Sequence, residues 1–221
     1  MKVFDKKNKH VITFAFILIN FSTSCFVYAQ DSITMDVKEI QAQSEAVNRT
    51  VTFNNQEIYL TAQGSNGFLR IKGINFKEGI IEADIKGSNT PQRSFVGIAF
   101  HGGDDETYEA VYFRPFNFKN PERKSHSVQY IAHPTFTWDK LRNEHPGTYE
   151  AALNLDLNPD DWFHVRIQVK ETRVDVYIND VQVPTLSINR LSKDETGWLG
   201  FWTGYLSDGW FRNIKLTSIT K

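Results

Sequence analysis

Cysteine is almost absent from this chain: Cys25 is the only one, and it lies close to the N-terminus. A protein cut downstream of it has no thiol, which excludes disulfides, a thiolate nucleophile and cysteine-based zinc sites, and stability must then come from a packed core. Long apolar runs are scarce too. The run VITFAFILINF has no later counterpart of similar length and is shorter than the roughly 20 residues that cross a bilayer, so no transmembrane segment is expected. Neither sign of charge prevails, with 25 basic and 26 acidic residues and a formal net charge of -1. The basic residues are scattered, so no nucleic-acid partner is expected, and net charge does not favour an anionic polymer. H-x-H, H-E-x-x-H and EF-hand spacings are missing, and no catalytic residue follows from a motif.

The N-terminus has the three parts of a secretory signal. Lys2, Lys6, Lys7 and Lys9 precede the apolar run, and a polar stretch ends in Val27-Tyr28-Ala29. Cleavage after Ala29 is expected, making residues 1–29 a signal peptide and residues 30–221 a single exported domain, periplasmic or extracellular. Lipid anchoring at Cys25 is the less favoured alternative, because Ser22 stands three positions upstream where an aliphatic residue is usual.

Beyond residue 49, short runs of strand character recur between turn residues: TVTFNN, EIYLTA, FLRIKGI, GIIEADIKG, SFVGIAFHG, YEAVYFRPF, SVQYIAH, WFHVRIQVK, RVDVYIND, LGFWTG and WFRNIKLTSI. Their spacing predicts an all-β sandwich or barrel. Lys170-Glu171-Thr172 should close a hairpin. Residues 31–49 read either as a short helix or as a lead-in. The segment from His133 to Leu157 is too long for a bare hairpin loop, and insertions of that size are often functional. Its Trp138–Arg142 portion predicts a helical turn that Pro146-Gly147 should end.

Period-2 alternation sorts the central runs into two sides. Val96, Ile98, Phe100, Val111, Phe113, Val165, Ile167, Val176 and Ile178 are expected in the core. His101, Tyr112, Arg114, Gln129 and His133 are then expected on the outer face. With seventeen Phe, eight Tyr and five Trp, the chain has more aromatic surface than a core of this size requires. Trp138, Trp202, Tyr205 and Trp210 are candidates for stacking on sugar rings, whereas Trp162 reads as rim or packing.

Together GIIEADIKG, FVGIAFHG, YEAVYFRPFNF, WFHVRIQVK, RVDVYIND, LGFWTG and WFRNIKL resemble the strand series of concanavalin A-like lectin/glucanase domains, most closely the secreted bacterial laminin-G-like and 3-keto-disaccharide hydrolase-like groups. The resemblance implies a jelly-roll β-sandwich of two antiparallel sheets, one concave and often carrying carbohydrate. It does not imply one function. The E-x-D-x-x-E strand of laminarinase-type relatives is missing, so retaining hydrolysis of that type is not supported.

The leading reading is a secreted carbohydrate-binding or carbohydrate-active domain. His101, Tyr112, Arg114, Gln129, His133, Trp138, Arg142 and Trp202 are the candidate ligand-binding residues. Arg114 would clamp a ligand carboxylate or hydroxyl pair, or else pair with Glu109, Glu144 or Glu150. If it faces ligand, its removal should leave the melting temperature nearly unchanged. Two alternatives stay open: a glycoside hydrolase or lyase using Asp104, Asp105, Glu109 or Glu144 with His101 or His133, and a laminin-G-like module that adheres to protein. Asp104 and Asp105, on the turn after Gly102-Gly103, are weak candidates for a structural calcium site.

Overall fold

The computed structural model describes residues 30–219. The leader assigned to residues 1–29, with Cys25, lies outside the described residues. In chain order the elements are β1 (Gln30–Thr34), α1 (Val37–Ala42), β2 (Ser44–Val47), β3 (Val51–Asn54), β4 (Glu57–Leu60), β5 (Gly67–Phe76), β6 (Gly79–Lys86), β7 (Val96–Gly102), β8 (Tyr108–Phe113), β9 (Val128–His133), α2 (Trp138–Glu144), β10 (Glu150–Ala151), β11 (Phe163–Val169), β12 (Arg173–Ile178), β13 (Leu186–Asn189), β14 (Gly197–Thr203) and β15 (Gly209–Ile219).

These strands form two antiparallel sheets. One runs β13-β12-β11-β6-β15-β4-β3, with β1 also paired to β15, and the other runs β10-β9-β8-β7-β14-β5-β2. The architecture is that of a concanavalin A-like β-sandwich. Alternation explains the first sheet directly: β6 and β11 bury every second residue, and Ile81, Ala83 and Ile85 stand beside Ile167, Val165 and Phe163 in register. The nine residues expected in the core are all buried. As expected, Lys170 and Arg173 close the β11–β12 hairpin.

The second sheet departs from simple alternation, because β7 and β8 are buried on both faces. An antiparallel sheet normally leaves one face wet. Here a second layer of aromatic side chains, the loop residues around Phe95 and the α2 segment cover the outer face. Residues 31–49 join the fold as well: Asp36 caps α1 by accepting the Lys38 N–H at 2.8 Å, Val37 and Ile40 are buried, and β2 pairs with β5. Among the described residues no helix is long and apolar enough to cross a membrane.

The expected side of His101 requires a correction. Between β7 and β14 the register passes from Gly200↔Ala99 to Trp198↔Gly102, so β7 carries one extra residue. That residue makes a β-bulge, and His101 adopts a positive φ of 51°. The parity that holds through Ala99 is thereby broken, and His101 is buried away from the outer face. It lies between the sheets, with Nδ1 2.8 Å from Glu109 Oε1 and Nε2 2.7 Å from the Lys77 carbonyl oxygen. Arg190, just past β13 of the opposite sheet, reaches the same Glu109 carboxylate at 2.5 Å, and the Tyr130 hydroxyl donates to it as well. Burial alone would raise the Glu109 carboxyl; the hydrogen bonds from His101, Arg190 and Tyr130 and the Arg190 charge overcome it and hold the pKa below its ordinary value.

Candidate functional site

A row of residues crosses the outer face of the second sheet. In register these are Glu150 and Gln129, Tyr112, Gly97, Trp202 and Phe68. Gly97 is needed at the centre, since a Cβ there would strike the Val111 carbonyl and the Tyr112 backbone. Over this gap the Tyr112 and Trp202 rings meet, centroids 4.8 Å apart. Trp202 donates its Nε1–H to the Tyr108 hydroxyl at 3.3 Å, and Tyr108 stacks on His133 at 5.0 Å. Trp202 is thus buried in the floor, and its ring is already engaged.

Arg114 follows the last residue of β8 and keeps the outward parity, yet it is only 5% exposed. Its Nη1 donates to the His126 carbonyl at 2.8 Å, and its Nη2 donates to the Tyr112 hydroxyl at 2.6 Å and to Gln129 Oε1 at 3.4 Å. Each acceptor is neutral. None of Glu109, Glu144 and Glu150 bonds it, so burial of the cation lowers its pKa, with only partial opposition from Tyr112 and Glu150. Because three groups depend on it for a donor, removing Arg114 would not be neutral to folding, contrary to the expectation from sequence.

The insertion forms the wall. Thr137 precedes α2, and the i, i+4 spacing of Trp138 and Arg142 sets them on one side of it, with the Arg142 guanidinium 5.0 Å from the Trp138 ring. Arg114 approaches the same ring at 6.0 Å. Past α2 the chain returns through β10, placing Glu150 against Arg142, which donates to both carboxylate oxygens at 2.7–3.1 Å, and 2.8 Å from His126 Nδ1. Burial would raise the Glu150 carboxyl, but these two partners bring it below its ordinary value.

Two hollows open on this face. The wider, about 660 Å³, is lined by Arg114, Asn117, Arg123, His126, Arg142 and neighbouring residues. The narrower, about 210 Å³, includes Tyr112, Ile131, His133, Asp139 and Trp202. Phe95, Trp138 and Tyr205 line both and form the ridge between them. Burial lowers the His133 pKa, opposed only by the Asp139 charge.

Seven of the eight candidate ligand-binding residues therefore meet on one face: Tyr112, Arg114, Gln129, His133, Trp138, Arg142 and Trp202. His101 does not. Asp104 and Asp105 serve the β7–β8 turn: Asp104 accepts the N–H groups of Glu106 and Thr107, and Asp105 pairs with Arg70. Among the described residues no group of three or more His, Cys, Asp or Glu is placed to hold a metal ion. Trp210 lies on the other sheet against Tyr59 and Lys86, and Trp162 packs under Lys86 and Arg212.

Sequence reasoning gave no role to Phe95, His126 or Arg123, which come from loops and short 3₁₀ turns without a period. Nor did it find Arg49, buried with hydrogen bonds to Thr203 and to the carbonyls of Ser65 and Gly204, where burial lowers its pKa to about 10. Arg49 fixes the turn that presents Tyr205. Its one sequence trace is Gly67, where a Cβ would fall on the arginine side chain.

Residues 35–217 match the family model of the 3-keto-alpha-glucoside-1,2-lyase-like domain. No curated protein matches the chain. Among solved structures, the carbohydrate-binding module CBM66 from Bacillus subtilis aligns with TM-score 0.58 and 13% identity over 78% of this chain and 94% of that one. A Bacillus subtilis protein with a galectin-like fold gives 0.55 and 13%, over 78% and 88%. The exoplasmic/lumenal domain of VIP36, in a Ca2+/Man3GlcNAc-bound form, gives 0.53 and 15%, over 81% and 84%. At these identities the likeness is one of fold.

Proposed function

Since the chain belongs to the 3-keto-alpha-glucoside-1,2-lyase-like family, we propose that it is an exported carbohydrate-binding or carbohydrate-processing jelly roll that takes a saccharide into the hollows beside α2. The observation that carries this reading is the pair of exposed aromatics on the ridge: Trp138 is 47% and Tyr205 58% exposed, above a floor of buried hydrogen-bonding groups. A pyranose lays its C–H face on such a ring while its hydroxyls seek partners at the edge. Asn117 Oδ1, buried at the wider hollow without a hydrogen-bond partner, is an acceptor that a sugar hydroxyl can satisfy. Among the described residues the other large exposed apolar side chains, Ile33 and Val183, lie on β1 and the β12–β13 connection, outside both hollows, and make no flat apolar patch there of the kind the protein-adhesion alternative would use. Trp138→Ala is expected to weaken glycan binding by about 30-fold, as loss of a central aromatic anchor does, with the circular dichroism spectrum unchanged. Unaltered binding on a glycan array would refute the site.

A second reading is favoured by His133. Among residues lining the two hollows the only carboxylate is Asp139, which leaves the two-carboxylate arrangement of a hydrolase without support. Elimination needs a single base. A 3-keto group acidifies the C2 proton; His133, neutral at physiological pH because burial lowers its pKa, would take that proton as the C1–O bond breaks and the C1=C2 bond forms, the departing oxygen being protonated from water. Lyase activity on a 3-keto-α-glucoside should then fall by about 100-fold or more in His133→Ala with binding retained. Equal turnover by the variant would remove His133 from the chemistry.

A further inference from the structure

The residues lining the wider hollow include Arg114, Arg123, His126 and Arg142 and no aspartate or glutamate. Glu150, just outside the lining, is divided between Arg142 and His126. Among the described residues no carboxylate forms a hydrogen bond or ion pair with Arg114 or Arg123, and Arg114 donates only to neutral groups. This excess of positive charge is local, since the chain as a whole carries a formal charge of -1. It is also partly desolvated, because Arg114 is buried and its pKa is lowered for that reason. Of the five N–H groups of a guanidinium, three on Arg114 are used by His126, Tyr112 and Gln129, leaving Nε–H and one Nη1–H, which point apart, without an acceptor among the described residues. A buried cation surrounded by neutral acceptors gains most from an anion that takes one of its remaining donors.

From this we infer that the saccharide is acidic, carrying a uronosyl carboxylate that enters the wider hollow and meets Arg114. The inference rests on the glycan reading above and adds the charge of the ligand to it. Trp138 supplies the geometry: its ring stands 6.0 Å from the Arg114 guanidinium and 5.0 Å from that of Arg142, so a pyranose stacked there holds the carboxylate on its C5 within reach of a guanidinium. Arg123, exposed at the mouth, attracts the same group before it docks. A carboxylate can accept a charge-assisted hydrogen bond from either free N–H of Arg114, about twice as strong as the one a neutral hydroxymethyl group would accept there.

The test is calorimetric titration of the whole chain with oligogalacturonate, oligoglucuronate and oligomannuronate, each beside its carboxyl-reduced neutral counterpart, and with a sulfated neutral oligosaccharide. At least one uronate should bind about tenfold or more tightly than its reduced counterpart, and the ratio should shrink between low and high salt. Arg123→Ala should reduce that ratio by severalfold. A reduced oligosaccharide that binds as tightly as its uronate, lost in Trp138→Ala, would overturn the acidic-ligand inference and leave the glycan site standing. The sulfated saccharide binding equally to the best uronate would overturn the carboxylate assignment. Absence of binding to uronates and neutral saccharides alike would overturn both.

Discussion

Arg190→Ala is expected to lower the stability of the folded chain by about 3–5 kcal/mol, the cost of removing one partner from a buried ion pair. Arg190 and Glu109 are 4% and 0% exposed, and the pair ties two sheets together. The arginine follows β13 of one sheet, while Glu109, His101 and Tyr130 belong to the other. Arg190 also donates to the Glu171 carbonyl at 2.8 Å, and the Leu191 N–H donates to the Tyr130 hydroxyl at 3.1 Å. Its loss leaves a carboxylate between the sheets with only His101 and Tyr130 beside it. The deficit should depend on pH. In the intact protein the Glu109 carboxyl is held below its ordinary 4.5, so its contribution is fully present above that value and fades as the pH falls towards the folded-state pKa. In the variant, burial acts with less opposition and the carboxyl moves up. The gap between the two proteins is then widest at neutral pH and narrows in acid. Urea unfolding at pH 7 and in acetate near pH 4 checks this. A gap under about 1 kcal/mol, or one independent of pH, would show that the network is not what fastens the sheets here.

The same network marks where the sequence stops being readable. Strand periodicity placed Val96, Ile98, Val111 and Phe113 inside and Tyr112, Arg114 and Gln129 on the opposite face, because side-chain direction follows the count of residues while pairing stays regular. The count fails at His101, where one extra residue in β7 turns the imidazole inward. Nothing local announces its partner Arg190, which lies 89 residues away in the chain. The available signal was glycine: a Cβ at Gly102 would fall within the Trp198 ring, and one at Gly197 would meet Gly102 and His101, so strands that close must carry glycine where the ladder is irregular. The wall of the site was half legible. The i, i+4 pair Trp138 and Arg142 follows from a helix that its own composition predicts. Glu150 sits on a two-residue strand, too short to show a period, and Tyr205 depends on a buried arginine that reads in sequence as an ordinary surface charge. Net charge is uninformative in a similar way, since a sum near zero does not show the three arginines gathered at one hollow.

Phe113→Ala is expected to cost about 3–5 kcal/mol as well, from lost burial and the cavity left behind. Phe113 is fully buried. It stands opposite Val96 on one side and Val128 on the other, and it meets Phe163 of the other sheet edge-on, centroids 5.2 Å apart. Phe163 in turn packs on Phe118 at 5.4 Å, so truncation opens a gap at the seam between the sheets, where two rigid ladders limit collapse into it. The melting temperature should drop by about 6–20 °C at this chain length, and Phe113→Leu should cost less because most of the volume is kept. The position also separates folding from binding. Phe113 lies between Tyr112 and Arg114 in sequence but points the other way, and β8 keeps its hydrogen bonds to β7 and β9 whatever the side chain. Well below its transition, Phe113→Ala should therefore bind glycan far better than Trp138→Ala does. A variant that melts like the wild-type protein would mean that the seam can close over a missing ring. One that stays folded yet loses binding as Trp138→Ala does would mean that the outer face of β8 is set by its packing rather than by its ladder.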